Sequence, residues 1–352
     1  MTPSAADVID LAFRHAKEQL FRPFRFAQWA RLALVGVLAG EMGSFNGCSF
    51  HFPLHNQPRG TQHFLAAPWP GFGTAHPALL AALLAAFLVF WLGFAVLFIY
   101  ISSVMRFILF DSVVERQCHV RRGWSRRQQA GIRLFCWQLA LMLVTIAALL
   151  IVIGIPVAGV AMLGWFSRAS EHVPGLVLGG ITLFLVLLVL LAALVVIQVM
   201  TKDFVVPQMA LEDIDALEGW RRLWPQLAAE KAGYAGYVAI KIALAMGAAI
   251  IFGIISVIAF LLLLIPIGGV GALAVLGGKA AGWDWNVLTV TAAVIFGCVA
   301  LGILIIAMAL ISVPVAVFFP AYAIYFFAPR YLPLRALLWP PPAAPEPPET
   351  RG

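Results

Sequence analysis

Four ionisable residues stand where a hydrophobic chain tolerates charge least: Arg106, Asp111, Lys202 and Asp203. The first two follow the apolar run ALLAALLAAFLVFWLGFAVLFIYISSV (78–104), the second two the apolar run 175–201. Charges beside hydrocarbon are costly, so they pair, bind a headgroup or line a wet pathway. These residue types therefore offer an ion pair that fixes helix packing, a lipid-headgroup site, or a proton or ion relay. Lys241, early in a later apolar run, reads as a side chain that snorkels toward the headgroups. Glu41 closes the apolar stretch that follows Arg31 and is a candidate intramembrane carboxyl. Below the headgroups it would be protonated or paired; at their level it would simply be wet.

Cys48, His51, His55 and His63 crowd one polar loop, and imidazole with thiolate suits zinc or copper. The segment CSFHFPLHN has no ligand spacing, so a flexible loop without metal is expected. The remaining cysteines, Cys118, Cys136 and Cys298, form neither a disulfide framework nor a zinc knuckle. The chain holds no HExxH, GxSxG, CxxC or phosphate-binding glycine loop. Nothing points to an enzyme, and no cofactor is implied. The basic cluster RRGWSRR (121–127) reads as an anionic-lipid contact, not as a nucleic-acid site.

The elements that hold these residues follow from composition. Hydrophobic residues make up 62% of the 352 and charged residues 11%, and mean hydropathy is +0.96. A water-soluble surface needs about a quarter charged residues, so most of this surface faces lipid. Spans are expected at 26–45, 78–105, 133–155, 175–201, 238–265 and 287–313. Lys and Arg number five in 1–31, seven in 106–133, five in 201–241 and three from 328 onward. The three intervening loops hold one each: Arg59, Arg168 and Lys279. The positive-inside rule then places both termini and the basic loops in the cytoplasm of a bacterial inner membrane.

The expected fold is all-α: six transmembrane helices containing a parallel repeat of helical hairpins, with short interfacial helices. Asp111 matches Asp203, Trp124 matches Trp220 and Pro156 matches Pro266 in the same order. Pro320 likewise falls under Pro207. Pro156 and Pro266 are expected to end or kink their helices, because proline lacks an N–H and clashes with the preceding turn. Residues 1–25 read as an amphipathic cytoplasmic helix, 26–330 as the membrane domain, and 331–352 as a disordered proline-rich tail. Ile214, Leu217, Trp220 and Trp224 recur at helical spacing and predict a second interfacial helix.

The segments MRFILFDSVVERQ, GWSRRQQAGIRLFCW, KDFVVPQM, EGWRRLWP and VFFPAYAIYFF resemble a group of bacterial multi-pass membrane proteins. That group is related to the membrane domain fused to some glycerophosphoryl diester phosphodiesterases. The resemblance implies a membrane platform and carries over no active-site residue, since the chain has no room for the phosphodiesterase barrel. The expected function is non-catalytic: organising lipid, another membrane protein or a second copy through cytoplasmic interfacial helices. The alternative is a small transporter or channel that uses proline-broken helices. The platform reading expects Asp111→Asn and Asp203→Asn to be tolerated.

Overall fold

The computed structural model describes residues 4–22, 24–41, 77–165, 171–280 and 287–340. Within them the order is α1 (Val8–Phe21), α2 (Phe26–Leu38), α3 (Pro77–Val114), α4 (Val120–Met162), α5 (Val173–Met200), α6 (Val206–Glu212), α7 (Ala216–Ala229), α8 (Lys231–Ala280), α9 (Val287–Phe327) and α10 (Leu332–Leu338). A π-turn, Thr201–Val205, joins α5 to α6. No strand occurs among the described residues. Helix is the only economical form for these runs, because hydrocarbon offers backbone groups no partner outside the segment.

Five helical stretches are long and apolar enough to cross a membrane: Ala81–Val114, Val120–Met162, Val173–Glu212, Lys231–Leu273 and Thr289–Arg330. They contain the expected spans 133–155, 175–201 and 238–265, and all but the first residues of 78–105 and 287–313. The expected first span, 26–45, is not a described crossing. α2 has 13 residues, about 20 Å of helix at ~1.5 Å per residue, against a hydrocarbon core of ~30 Å. It stops because Gly40 turns left-handed at φ 76°, a backbone conformation that terminates helices. The loop carrying Cys48, His51, His55 and His63 lies outside the described residues, as do residues 341–352. The start of the expected disordered tail, 331–352, is instead ordered, with Leu332–Leu338 helical and Leu334 buried.

The core sits at the basic end of the spans. Phe107, Leu134, Phe204, Leu223, Tyr237 and Phe326 are buried there. Beyond it the long helices barely cover one another: the most apolar window of four spans has no buried residue, and that of the fifth 6%. α3 and α4 do pack tightly near the core, where a Cβ on Gly131 would stand 3.1 Å from Val104 Cα. α2 lies antiparallel to the end of α3. Gln28 donates to the Arg116 carbonyl at 2.9 Å, and the Arg106 guanidinium reaches the Ala39 carbonyl at 3.4 Å.

Two local expectations change. Pro156 and Pro266 lie inside continuous helices, α4 and α8, and do not end them. One missing N–H costs less than opening a backbone that would have no partner in lipid. The buried face of α7 is Ala216, Gly219 and Leu223, while Leu217 and Trp224 point outward. Gly219 decides this rotation, because a Cβ there would meet Val205 Cγ1 at 2.7 Å.

α1 is not a free amphipathic helix but part of the core, burying Val8, Ala12, His15, Ala16, Gln19 and Leu20. The His15 ring bridges two spans: Nε2 lies 2.9 Å from the Val113 carbonyl and Nδ1 3.1 Å from the Tyr325 hydroxyl. A carbonyl only accepts, so Nε2 carries the proton and Nδ1 accepts from Tyr325. Burial, and then Arg116, hold the imidazole below its ordinary 6.5, against smaller opposing pulls from the Val113 carbonyl, Gln19 and Glu18. The folded state thus favours neutral His15. Its contribution is complete above pH ~6.5 and is lost as pH falls through the lower folded value. The melting temperature in detergent is expected to fall between pH 7.5 and 5.5, and less steeply in His15→Gln; equal slopes in the two proteins would remove His15 as the cause.

Candidate functional site

Lys202 and Asp203 are neighbours in sequence, and their side chains leave the π-turn in different directions. The turn itself has a local cause. The Pro207 ring collides with the carbonyl four residues back, that of Asp203, and a helix can absorb such a collision by widening. Lys202 Nζ then lies 3.0 Å from Glu41 Oε1 at the end of α2. Asp203 Oδ2 accepts from the Tyr237 hydroxyl at 2.8 Å and forms an ion pair with Lys241. Both partners of Asp203 come from α8. The Lys241 ammonium also stands 5.9 Å from the Tyr237 ring centroid and 6.0 Å from that of Phe319, within cation–π range.

Arg106 completes a five-charge centre around a cavity of about 30 Å³. Its other walls include Leu109, Phe110, Pro207, Phe319 and Pro320. The two prolines matched in the sequence therefore line the same cavity. Below the centre, Arg127 grips Asp111 with both edges of its guanidinium: Nε–Oδ2 and Nη2–Oδ1 are each 2.7 Å. Its Nη1 donates to the Ala210 carbonyl at 2.6 Å. This clasp ties α3, α4 and α6 together. Further along, Arg330 makes the same kind of two-pronged contact to Glu230, at 2.8 and 2.7 Å, while lying 4.0 Å from the Phe326 ring centroid.

The four charged residues thus find partners away from their sequence neighbours. Arg106 does not pair with Asp111, nor Lys202 with Asp203; each residue turns to another helix. Glu41 is not a wet residue at the far end of a first span, because the short α2 leaves it beside Lys202. Lys241 does not snorkel to the headgroups but is held by Asp203. In the basic cluster 121–127, Arg127 is buried in the clasp. Tyr237 and Arg127 were missed as partners. Arg127 had a legible signal: Asp111 and Arg127 stand eight residues either side of His119, the spacing at which antiparallel helices joined by a short turn face each other. Lys241 had none, since α6 and α7 intervene. No group of three metal-ligating side chains occurs among the described residues.

Five helices long and apolar enough to cross a membrane, with ion pairs buried at one end, mark the class as a helical membrane protein. Within that class the chain belongs to a family of unknown function, DUF7544, whose model matches residues 3–336. Comparison with the curated proteins and with the solved structures gives no match.

The clasp corrects the expected tolerance of Asp111→Asn. That change would leave Arg127 buried without its counter-charge, and is expected to cost about 3 kcal/mol. Chemical unfolding in detergent micelles measures it, and Arg127→Gln in the same chain should restore part of the loss. A cost below about 1 kcal/mol would match an exposed surface pair instead.

Proposed function

We propose that this protein is a non-catalytic component of a bacterial inner membrane that organises lipid and a partner membrane protein or second copy. Its termini and basic loops face the cytoplasm, as the Lys and Arg distribution supports. On this reading the chain crosses six times, an even number that keeps both termini on one side, and five of the crossings are described helices. The carrying observation is the lack of cover on the spans. Phe90, Trp91, Leu150, Leu188, Ile254 and Leu262 are all largely exposed, although helices of one self-contained bundle would cover each other. Such faces are complementary to lipid chains or to other helices, whose association in lipid depends on packing. The core at the basic end holds the spans in place while leaving their lengths available. The expected hairpin repeat and the resemblance to phosphodiesterase-linked membrane domains, both read from the sequence, support a platform of this kind.

A transporter is the second reading, and the buried charges around the cavity favour it. Neither Pro156 nor Pro266 ends its helix, so the short outer segments that this reading would use do not separate from α4 and α8. Polar groups further along the spans are satisfied close by. The Ser103 hydroxyl is within 2.8 Å of the Ile99 carbonyl and 2.9 Å of Gln138 Oε1. Thr145 donates to the Leu141 carbonyl at 2.7 Å. Single cysteines along α4 and α8, in a background without the native ones, separate the two readings in membranes. Labelling by a membrane-impermeant maleimide confined to the ends is expected. A stripe of labelled positions reaching mid-span would refute the platform and establish a water-filled path.

A further inference from the structure

The charged centre is not balanced. Arg106, Lys202 and Lys241 face two carboxylates, Glu41 and Asp203, which leaves one positive charge in excess. The two lysines hold the two carboxylates. Arg106 forms no ion pair among the described residues. Its one hydrogen bond runs from Nη2 to the Ala39 carbonyl, and Nε and Nη1 are buried without any partner. Those two nitrogens carry three N–H bonds. A buried guanidinium left in this state is costly, and an anion in the adjoining cavity would remove the cost.

We propose that this cavity binds the phosphodiester of a membrane lipid, with Arg106 as its direct ligand and Lys202 and Lys241 flanking it. Charge and geometry select the group. A phosphodiester carries one negative charge, the amount in excess, and its oxygens accept from several directions at once, as the three N–H bonds require. Charge-assisted bonds of guanidinium to phosphate are among the stronger contacts available to a protein. The source follows from location. The cavity lies where the core gives way to uncovered spans, and Leu109, Phe110, Val206 and Ile324 supply apolar wall beside the charges. A lipid lying between the spans would bring its phosphate to Arg106 while its chains remain among apolar side chains. At about 30 Å³ the cavity takes phosphate oxygens but not a whole headgroup, so the alcohol beyond the phosphate matters little.

The test uses the full chain, stripped of lipid in a neutral maltoside detergent and titrated with phosphatidylglycerol, diacylglycerol, inorganic phosphate or dimethyl phosphate. Thermal unfolding and native mass spectrometry read binding. Phosphatidylglycerol is expected to bind at least tenfold more tightly than diacylglycerol. Arg106→Gln should lose at least tenfold in affinity, and Glu41→Gln, which enlarges the cationic excess, should gain. Without lipid, Arg106→Gln should melt no lower than the native protein, because it removes an unpaired charge; a purely structural arginine would give the opposite. Should Arg106→Gln not fold, the arginine is structural and the proposal is overturned. Unchanged affinity in Arg106→Gln, or equal binding of diacylglycerol, also overturns it. Binding of inorganic or dimethyl phosphate with no added affinity for phosphatidylglycerol would make the site one for free phosphate and refute the lipid source. A mid-span cysteine stripe would refute the platform and leave this site standing.

Discussion

Asp203 holds together elements that have little else in common. Its carboxylate is shared by a hydroxyl and an ammonium of α8, while the residue before it reaches back to the end of α2. The spans gain little from one another along their lengths. The polar contacts at the basic end therefore decide how the helices stand relative to each other. Low dielectric strengthens such contacts and raises the cost of leaving any of them unmade. A centre of this kind favours one arrangement of α2, α5 and α8, because moving any of them would part Lys202 from Glu41 or Lys241 from Asp203.

The aromatic packing next to it serves the same end. Phe204, directly after Asp203, lies 5.3 Å and 5.1 Å from the ring centroids of Tyr234 and Tyr237, and 5.1 Å from that of Phe327. Tyr237 stacks on Tyr322 at 5.1 Å. Aromatic rings bury large areas in defined geometries, so the carboxylate and its partners are held by rigid neighbours. α1 closes the other side, with the Tyr322 hydroxyl donating to the Ala5 carbonyl at 3.1 Å. The amphipathic segment that a sequence reader assigns to the membrane surface is thus spent on the core.

The same economy accounts for α7. Its pattern of large apolar residues suggests one face and its small residues select another, because Ala216 and Gly219 let the helix approach the π-turn closely. Trp220 then donates to the Thr201 hydroxyl at 3.1 Å and meets Trp137 at a centroid distance of 6.5 Å. Leu217 and Trp224 are left facing outward, available to lipid or to a partner.

By itself the sequence determined that the chain is helical, where five of its six expected spans fall on helices long and apolar enough to cross a membrane, and which charged residues have to be accommodated beside them. Those properties follow from hydrophobic run length and from the cost of charge near hydrocarbon, which depend on composition over some twenty neighbouring residues. Only the tertiary structure decided the partners. Asp111 could find Arg127 across a short turn, but Asp203 and Lys241 are 38 residues apart and Lys202 and Glu41 are 161 apart. Their meeting depends on where α2 stops at Gly40 and how the helix widens before Pro207. It also fixed that α4 and α8 run on through Pro156 and Pro266, since continuity there depends on an environment that offers the backbone no alternative partner.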